Sequence, residues 1–565
     1  MTAEADQVAD LADRFWQEHL VADPVTATIH GDRRYDDRLD DPTPEGRAAR
    51  LASLRATRRD VEALDARALD AETRITRDAL LTELDGEAAA IEADLGAWTL
   101  DPLDGPQITA IILESLQPLG TAADMAAMVA RWRALGPWFE VHAANLRRAV
   151  GEGRIAVETP ARKVLDQLDR LLARPLDDWP LLAPLRRDDV IGTPGAWAAF
   201  GGDLRSAVRD VVVPAIAAYA ATVRDVVVPV ARPDDQPGLA FVPGGPEAYR
   251  DLIRRHTSLS LSAEEIHAIG LEEVARIDAE IAELGDRILG TAGLAATRER
   301  LRRDPALHFS TSAEVFEVAE RSLARAEAAI DAWFGILPQA RCTVVEMSAL
   351  EAPHSTIAYY REPAADGSRP GSYVINTHAP ETRPRYEAEA LAFHEAIPGH
   401  HLQIAIAQEL AALPAFRRHL GPTAYVEGWG LYTERLCDEM GLYSGDLDRI
   451  GISSYDAWRA CRLVVDTGIH ALGWTRQAAI DYMIEHTALA ENNIVNEVDR
   501  YIVMPGQALA YKLGQREILR LRAQAESALG PRFDIRAFHD QVLGHGALGL
   551  EPLGGVVREW MAAIR

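Results

Sequence analysis

Strand-forming sequence gathers in one short window of this chain. Cys342 to Met347 (CTVVEM), Thr356 to Tyr360 (TIAYY) and Tyr373 to Thr377 (YVINT) are rich in β-branched and aromatic residues. The turn-forming segment Pro363 to Gly371 separates the last two. Elsewhere Ala, Leu, Glu and Arg dominate, all good helix formers. The expected fold class is therefore mainly α, with one small β-sheet. A chain of 565 residues exceeds what one core usually supports. Two lobes are expected, an N-terminal helical lobe over 1–235 and a second lobe over 236–565, or one continuous fold.

Local signals place several helices. Met125, Met128, Val129, Trp132, Leu135 and Trp138 recur at three- and four-residue spacings, predicting an amphipathic helix over Ala123 to Val150. Residues 227–247 are rich in Pro and Gly and read as a connector. A helix follows from Pro246 to His256. Another starts at Ser262, where Ser-Ala-Glu-Glu puts Glu265 at the third position of a capping box. Helices continue to about Ile336. No internal repeat or low-complexity tract is evident. Residues 1 to about 225 carry no catalytic constellation and are expected to form one wall of a cleft.

Charge and cysteine usage narrow the setting. A formal charge of −27 repels nucleic-acid phosphates and argues against such a partner. The three cysteines, Cys342, Cys437 and Cys461, are widely spaced and form no CxxC pair, so buried free thiols in a reducing compartment are expected. The N-terminal stretch MTAEADQVADLADRFW has no apolar core of a signal peptide, and no stretch approaches the length of a membrane span. A cytoplasmic protein without membrane or nucleic-acid partners is expected; oligomeric state is not legible.

The chemistry concentrates in Phe393-His-Glu-Ala-Ile-Pro-Gly-His-His-Leu-Gln403. A zincin helix carries HExxH, with two histidines one turn apart on the metal and the glutamate as base. Here Pro398 interrupts that spacing. On an unbroken helix His400 would lie about 240° round the axis from His394. Pro398 lacks an N–H and Gly399 tolerates unusual backbone angles, so a bulge or kink around 396–399 can absorb the extra residues and bring His400 beside His394. His401 is the competing ligand. It sits nearly on the same face of a straight helix but about 10.5 Å further along.

The motif HExxPGHHLQ, followed by EGWxLYxE and RYxxxPGQALAYKLG, resembles a bacterial domain-of-unknown-function family. That family is similar to the gluzincin metallopeptidases, including thermostable carboxypeptidases and angiotensin-converting enzyme. The resemblance is dense over about 350–520. It implies a two-lobed helical fold around a deep cleft, with the small sheet beside the zinc helix. It implies Zn2+ held by His394, His400 and Glu427, where Glu427 lies 27 positions after His400. The relatives' Gly-His pair aligns with Gly399-His400, which favours His400 over His401. Glu434, seven residues beyond Glu427, either supports a ligand histidine or makes a surface salt bridge.

Zinc lowers the pKa of bound water towards about 7 and polarises a carbonyl. Glu395 is then the general base. The Arg500-Tyr501 pair resembles the Arg-Tyr pair of the angiotensin-converting-enzyme branch, which implies that Tyr501 contacts the oxyanion. His470 is a second candidate donor, or a core histidine bonded to Asp466. Gln507, Tyr511 and Lys512 lie in the same tract, and Lys512 or Arg500 can hold a substrate carboxylate. The run Ile357 to Tyr360, with Tyr359, offers an edge for an extended peptide. The expected function is zinc-dependent peptide hydrolysis of carboxypeptidase or oligopeptidase type. The alternatives are zinc-dependent hydrolysis of a non-peptide amide and a non-catalytic relic.

Overall fold

Ser262 accepts a hydrogen bond from Glu265 N–H while the Glu265 carboxylate accepts from Ser262 N–H, the reciprocal capping box expected there, and the helix runs Ala263–Leu284. Such local signals recur throughout the computed structural model, which describes residues 3–187, 191–348, 352, 356–364, 367 and 369–564. The helix expected over Ala123 to Val150 runs Ala122–Gly151, and that expected over Pro246 to His256 runs Gly245–Thr257. Helices fill most of the chain, and the sheet lies where expected. Met1 and Thr2, and Ala365, Asp366 and Ser368 of the expected turn, lie outside the described residues.

The sheet has strands β1 (Cys342–Glu346), β2 (Ala358–Arg361) and β3 (Gly371–Ile375) in the order β1-β3-β2. β3 pairs parallel with β1 and antiparallel with β2, with Tyr360 opposite Tyr373 and Tyr359 opposite Val374. β3 is buried along its whole length and β2 is an edge strand. Side chains alternate between faces. Tyr360 and Tyr373 thus share one face, while Tyr359 packs on the other with Met347, Ala352 and Val374.

The hydrophobic interior does not divide at residue 235. Residues from Ala12 to Leu84 pack into one core with residues from Phe309 to Met561, which includes the site helices. A second core is built from Leu100 to Val227.

The second core contains a short internal repeat on a long apolar helix, neither of which is expected from the sequence. The phrase Val-Arg-Asp-Val-Val-Val-Pro occurs at 208–214 and again at 223–229, a short internal repeat. Each copy forms a π-helical turn, Val208–Val212 and Val223–Val227. Val213 N–H bonds to Val208 O, and Val228 N–H to Val223 O. Proline follows one residue later in each case. It has no N–H and its ring crowds the carbonyl four residues back, which the wider turn relieves. The helical path therefore continues from Pro194 to Val230, 37 residues with a mean hydropathy of 1.7 in its most apolar window. Among the described residues this helix is long and apolar enough to cross a membrane by length and composition, contrary to the expectation that no stretch is. Phe200, Leu204, Val208, Val212, Ile216, Tyr219, Val223 and Val227 bury one side of it in the second core.

The metal motif lies on two helices, broken where the bulge or kink around 396–399 is expected. A 3-10 turn, Arg385–Glu387, leads into Ala388–Glu395, and the chain resumes as His400–Glu409. Between them Ala396 (φ −101°, ψ −113°) and Gly399 (φ −75°, ψ −130°) leave helical geometry.

Candidate metal centre

The break at 396–399 brings the two histidines together. A Cβ on Gly399 would run into the backbone carbonyls of His394 and Phe393, so only glycine allows the second helix to start against the end of the first. Trp429 Nε1–H donates to Pro398 O at 2.9 Å and clamps the break from the neighbouring helix, Thr423–Glu439. The His394 and His400 rings then stand 4.6 Å apart, centroid to centroid, nearly perpendicular. Glu427 Oε2 lies 3.6 Å from Nε2 of each histidine. These separations are too long for hydrogen bonds. They suit a shared ion: two ligand atoms each about 2.1 Å from a tetrahedral zinc stand about 3.4 Å apart. One ligand atom from each residue lies within 4.8 Å of the others. Two imidazoles and one carboxylate are a donor set zinc accepts.

The surroundings hold His394 in place. Its Nδ1–H donates to Glu434 Oε1 at 2.8 Å, and the Glu434 side chain is 2% exposed. Glu434 is thus a buried partner of a candidate ligand histidine. On the other side Gly430 abuts the imidazole, where a Cβ would meet Cε1 at 2.6 Å and both nitrogens at 2.8 Å. Burial alone would lower the His394 pKa, but Glu427, Glu434 and Glu395 outweigh it and raise it to about 9. Glu427 is half-buried; desolvation would raise its pKa, yet the two histidines hold it well below the usual carboxylate range.

His401 is not part of this candidate group. Its Nδ1 accepts from the Tyr360 hydroxyl at 3.0 Å and its Nε2–H donates to Ala340 O at 3.1 Å. Both ring nitrogens are occupied, and burial pushes its pKa down to about 4. The general-base candidate Glu395 ends the first site helix, half-buried beside Tyr373, whose pKa is raised by burial and by the Glu395 charge.

A family model for a bacterial protein of unknown function (DUF885) matches residues 24–557. The chain belongs to this family. Two solved structures resemble this DUF885 member along essentially its whole length. One, described as "putative lipoprotein from Colwellia psychrerythraea", is 26% identical with a TM-score of 0.90 and covers 100% of both chains. The other, described as "a putative lipoprotein of unknown function from Shewanella oneidensis", is 19% identical with a TM-score of 0.75 over 98% of this chain and 99% of its own, and shows the fold alone. No curated protein matches.

The remaining candidates are placed as follows. Tyr501 is buried, and its hydroxyl donates to Glu497 at 2.7 Å while accepting from Arg462 Nε at 3.0 Å and Trp458 Nε1 at 3.2 Å. One donor and two acceptor sites are all a phenol has, so this hydroxyl is saturated. His470 accepts from Leu239 N–H at 3.2 Å and donates to Tyr501 O at 2.9 Å, which makes it a core histidine. It is not bonded to Asp466, which accepts from Tyr249 and Gly506 instead. Lys512 is 1% exposed, and its ammonium is taken by Asp456 at 2.5 Å, Gln515 at 2.8 Å and Glu273 at 3.3 Å, leaving no donor for a substrate carboxylate. The Tyr359 side chain faces away from the metal helices, by strand alternation. Arg500 and Gln507 bond each other at 2.7 Å, and Arg500 also pairs with Glu497 at 3.0 Å.

Tyr511 is the half-buried phenol on the metal side. Its helix, Ala510–Leu529, crosses the Glu427 helix at Gly428 and Gly514, where a Cβ on Gly428 would lie 2.5 Å from Gly514. Tyr511 sits one turn before that crossing. Burial and the Glu427 charge raise its pKa, opposed by Arg462 and Arg500, and the Arg462 guanidinium stands 4.2 Å over its ring.

Sequence reasoning missed Gly430, Trp429, Tyr360 and Arg462. The close glycines of Glu427-Gly-Trp-Gly430 were the available signal for the first two.

Proposed function

We propose that this DUF885 member is a zinc-dependent hydrolase of peptide bonds, similar to the gluzincins. The observation that carries the reading is the convergence of His394, His400 and Glu427 across a broken helix, with Glu395 directly after the first histidine. These three residues would hold the metal, which when bound would polarise a carbonyl and acidify water. The chain's own groups supply the rest. Glu395 takes a proton from the attacking water and passes it to the departing nitrogen, so peptide plus water gives acid plus amine. Glu434 fixes the ring and tautomer of His394. The donor role that the family resemblance implies for Tyr501 passes to Tyr511, because the Tyr501 hydroxyl is saturated while Tyr511 stands half-exposed beside Glu427. The edge strand β2 would receive an extended peptide by backbone pairing.

We further read the molecule as a two-lobed cleft. The two lobes are the core that includes the site helices and the separate core built from Leu100 to Val227. For location we keep the reducing compartment, resting on three buried free thiols. The name lipoprotein attached to the two similar structures gives the contrary reading, which cell fractionation decides.

The test is a panel of short peptides and small non-peptide amides presented to the zinc-loaded protein and to Glu395→Gln. Peptide cleavage that falls on the order of 100-fold in the variant, with zinc retained, is the expected result. Cleavage at the wild-type rate by Glu395→Gln refutes the base assignment, and turnover of small amides alone refutes the peptidase assignment.

A further inference from the structure

The two histidine ligands are supported unequally. His394 donates its second ring nitrogen to Glu434. His400 Nδ1 is buried and has no hydrogen-bond partner among the described residues. Metal-bound histidines nearly always have such a partner, because it fixes ring orientation and tautomer. His400 is also the first residue of its helix, immediately after the break, where no preceding helical turn holds the backbone. Something else must set where this ligand stands.

The next residue does so. His401 reaches across to the sheet with both nitrogens, to the Tyr360 hydroxyl on β2 and to Ala340 O just before β1. Its own N–H bonds to Ala396 O across the break at 3.1 Å. The contact with Tyr360 is tightly enclosed. A Cβ on Gly371, at the start of β3, would lie 2.6 Å from both His401 Nδ1 and Tyr360 Oη. The His401 and Tyr360 rings meet edge to face at 5.6 Å.

We propose that His401 is a positioning residue: its hydrogen bond to Tyr360 pins the start of the second site helix to the edge strand and so sets His400 for metal binding. The inference rests on the metal reading above and explains why a non-ligand histidine follows the ligand. The same bond ties the ligand to β2, so the strand offered to substrate and the metal ligand share one strut.

The test measures zinc affinity by competition with a chromogenic chelator, and the melting temperature of metal-free protein, in four variants. Tyr360→Phe removes only the hydroxyl. His401→Asn keeps an acceptor near the Nδ1 position, whereas His401→Gln keeps only a donor near Nε2. The fourth is the Tyr360→Phe/His401→Gln double variant. Tyr360→Phe and His401→Gln should each weaken zinc binding on the order of 10-fold, the lower end of the range for direct partners of ligand histidines, because this bond acts one residue away from the ligand. The double variant should be little worse than either single one, because both remove the same bond. His401→Asn should bind close to wild type. Variants that melt lower but bind zinc as wild type does would show a merely structural bond and overturn the proposal. Wild-type protein that binds no zinc would overturn the metal reading, and the strut with it.

Discussion

Gly430→Ala adds one methyl group against the face of His394. That carbon would lie 2.6 Å from Cε1 and 2.8 Å from each ring nitrogen. Ordinary contacts between such atoms are about 3.5–4.0 Å, so the ring must retreat by roughly 1 Å. It cannot do so freely, because Nδ1 is held at 2.8 Å by a buried Glu434. Zinc–ligand distances tolerate only about ±0.2 Å. Overpacking of this kind costs about 1–3 kcal/mol. If it falls on the metal-bound state, it corresponds to a 5- to 150-fold loss of zinc affinity. Chelator competition reads that loss directly. Gly202→Ala is the matched control, since nothing lies within 4 Å of a Cβ there, and it should bind zinc as wild type does. Wild-type affinity in Gly430→Ala would refute the reasoning, because the glycine would then not be what allows His394 to stand at the metal.

Other outcomes follow from the same geometry. The His394 pKa near 9 applies to the metal-free protein, and a protonated imidazole cannot bind zinc. Zinc must therefore displace a proton below pH 9, and apparent affinity should rise about tenfold per pH unit from pH 7 towards 9; titrations giving equal affinity at pH 7 and 8.5 would contradict this. Tyr511→Phe should lower kcat while leaving zinc content and melting temperature near wild type, whereas Tyr501→Phe, which breaks the three hydrogen bonds of a buried hydroxyl, should mainly lower the melting temperature; the opposite pattern would return the donor role to Tyr501.

What the sequence disclosed divides by range. Signals confined to a few residues, such as the capping box at Ser262 and the β-branched runs around 342–375, appear in the structure within a few residues of their expected bounds. The helix break was legible too, because Pro398 and Gly399 have no good place inside a helix. The relation between His400 and His401 was only half legible. Both sit in one apolar tract, and what separates them is Tyr360, 41 residues away on an edge strand. Tyr501 misled for a related reason. Its motif suits catalysis, but Arg462 and Trp458 on the long helix Asp446–His470 saturate its hydroxyl, a contact that no local pattern announces. Lys512 is the same lesson in charge: the lysine looks free in sequence until Asp456 and Glu273 are found around it.

The proposed centre, one zinc ion per chain held by His394, His400 and Glu427, is tested most directly by elemental analysis of purified protein after dialysis against zinc. Wild type should retain about one zinc per chain, Glu395→Gln the same, and His394→Ala, His400→Ala and Glu427→Ala far less. His401→Ala should lose less than His400→Ala. Zinc retained at full occupancy by both His394→Ala and Glu427→Ala would contradict the account.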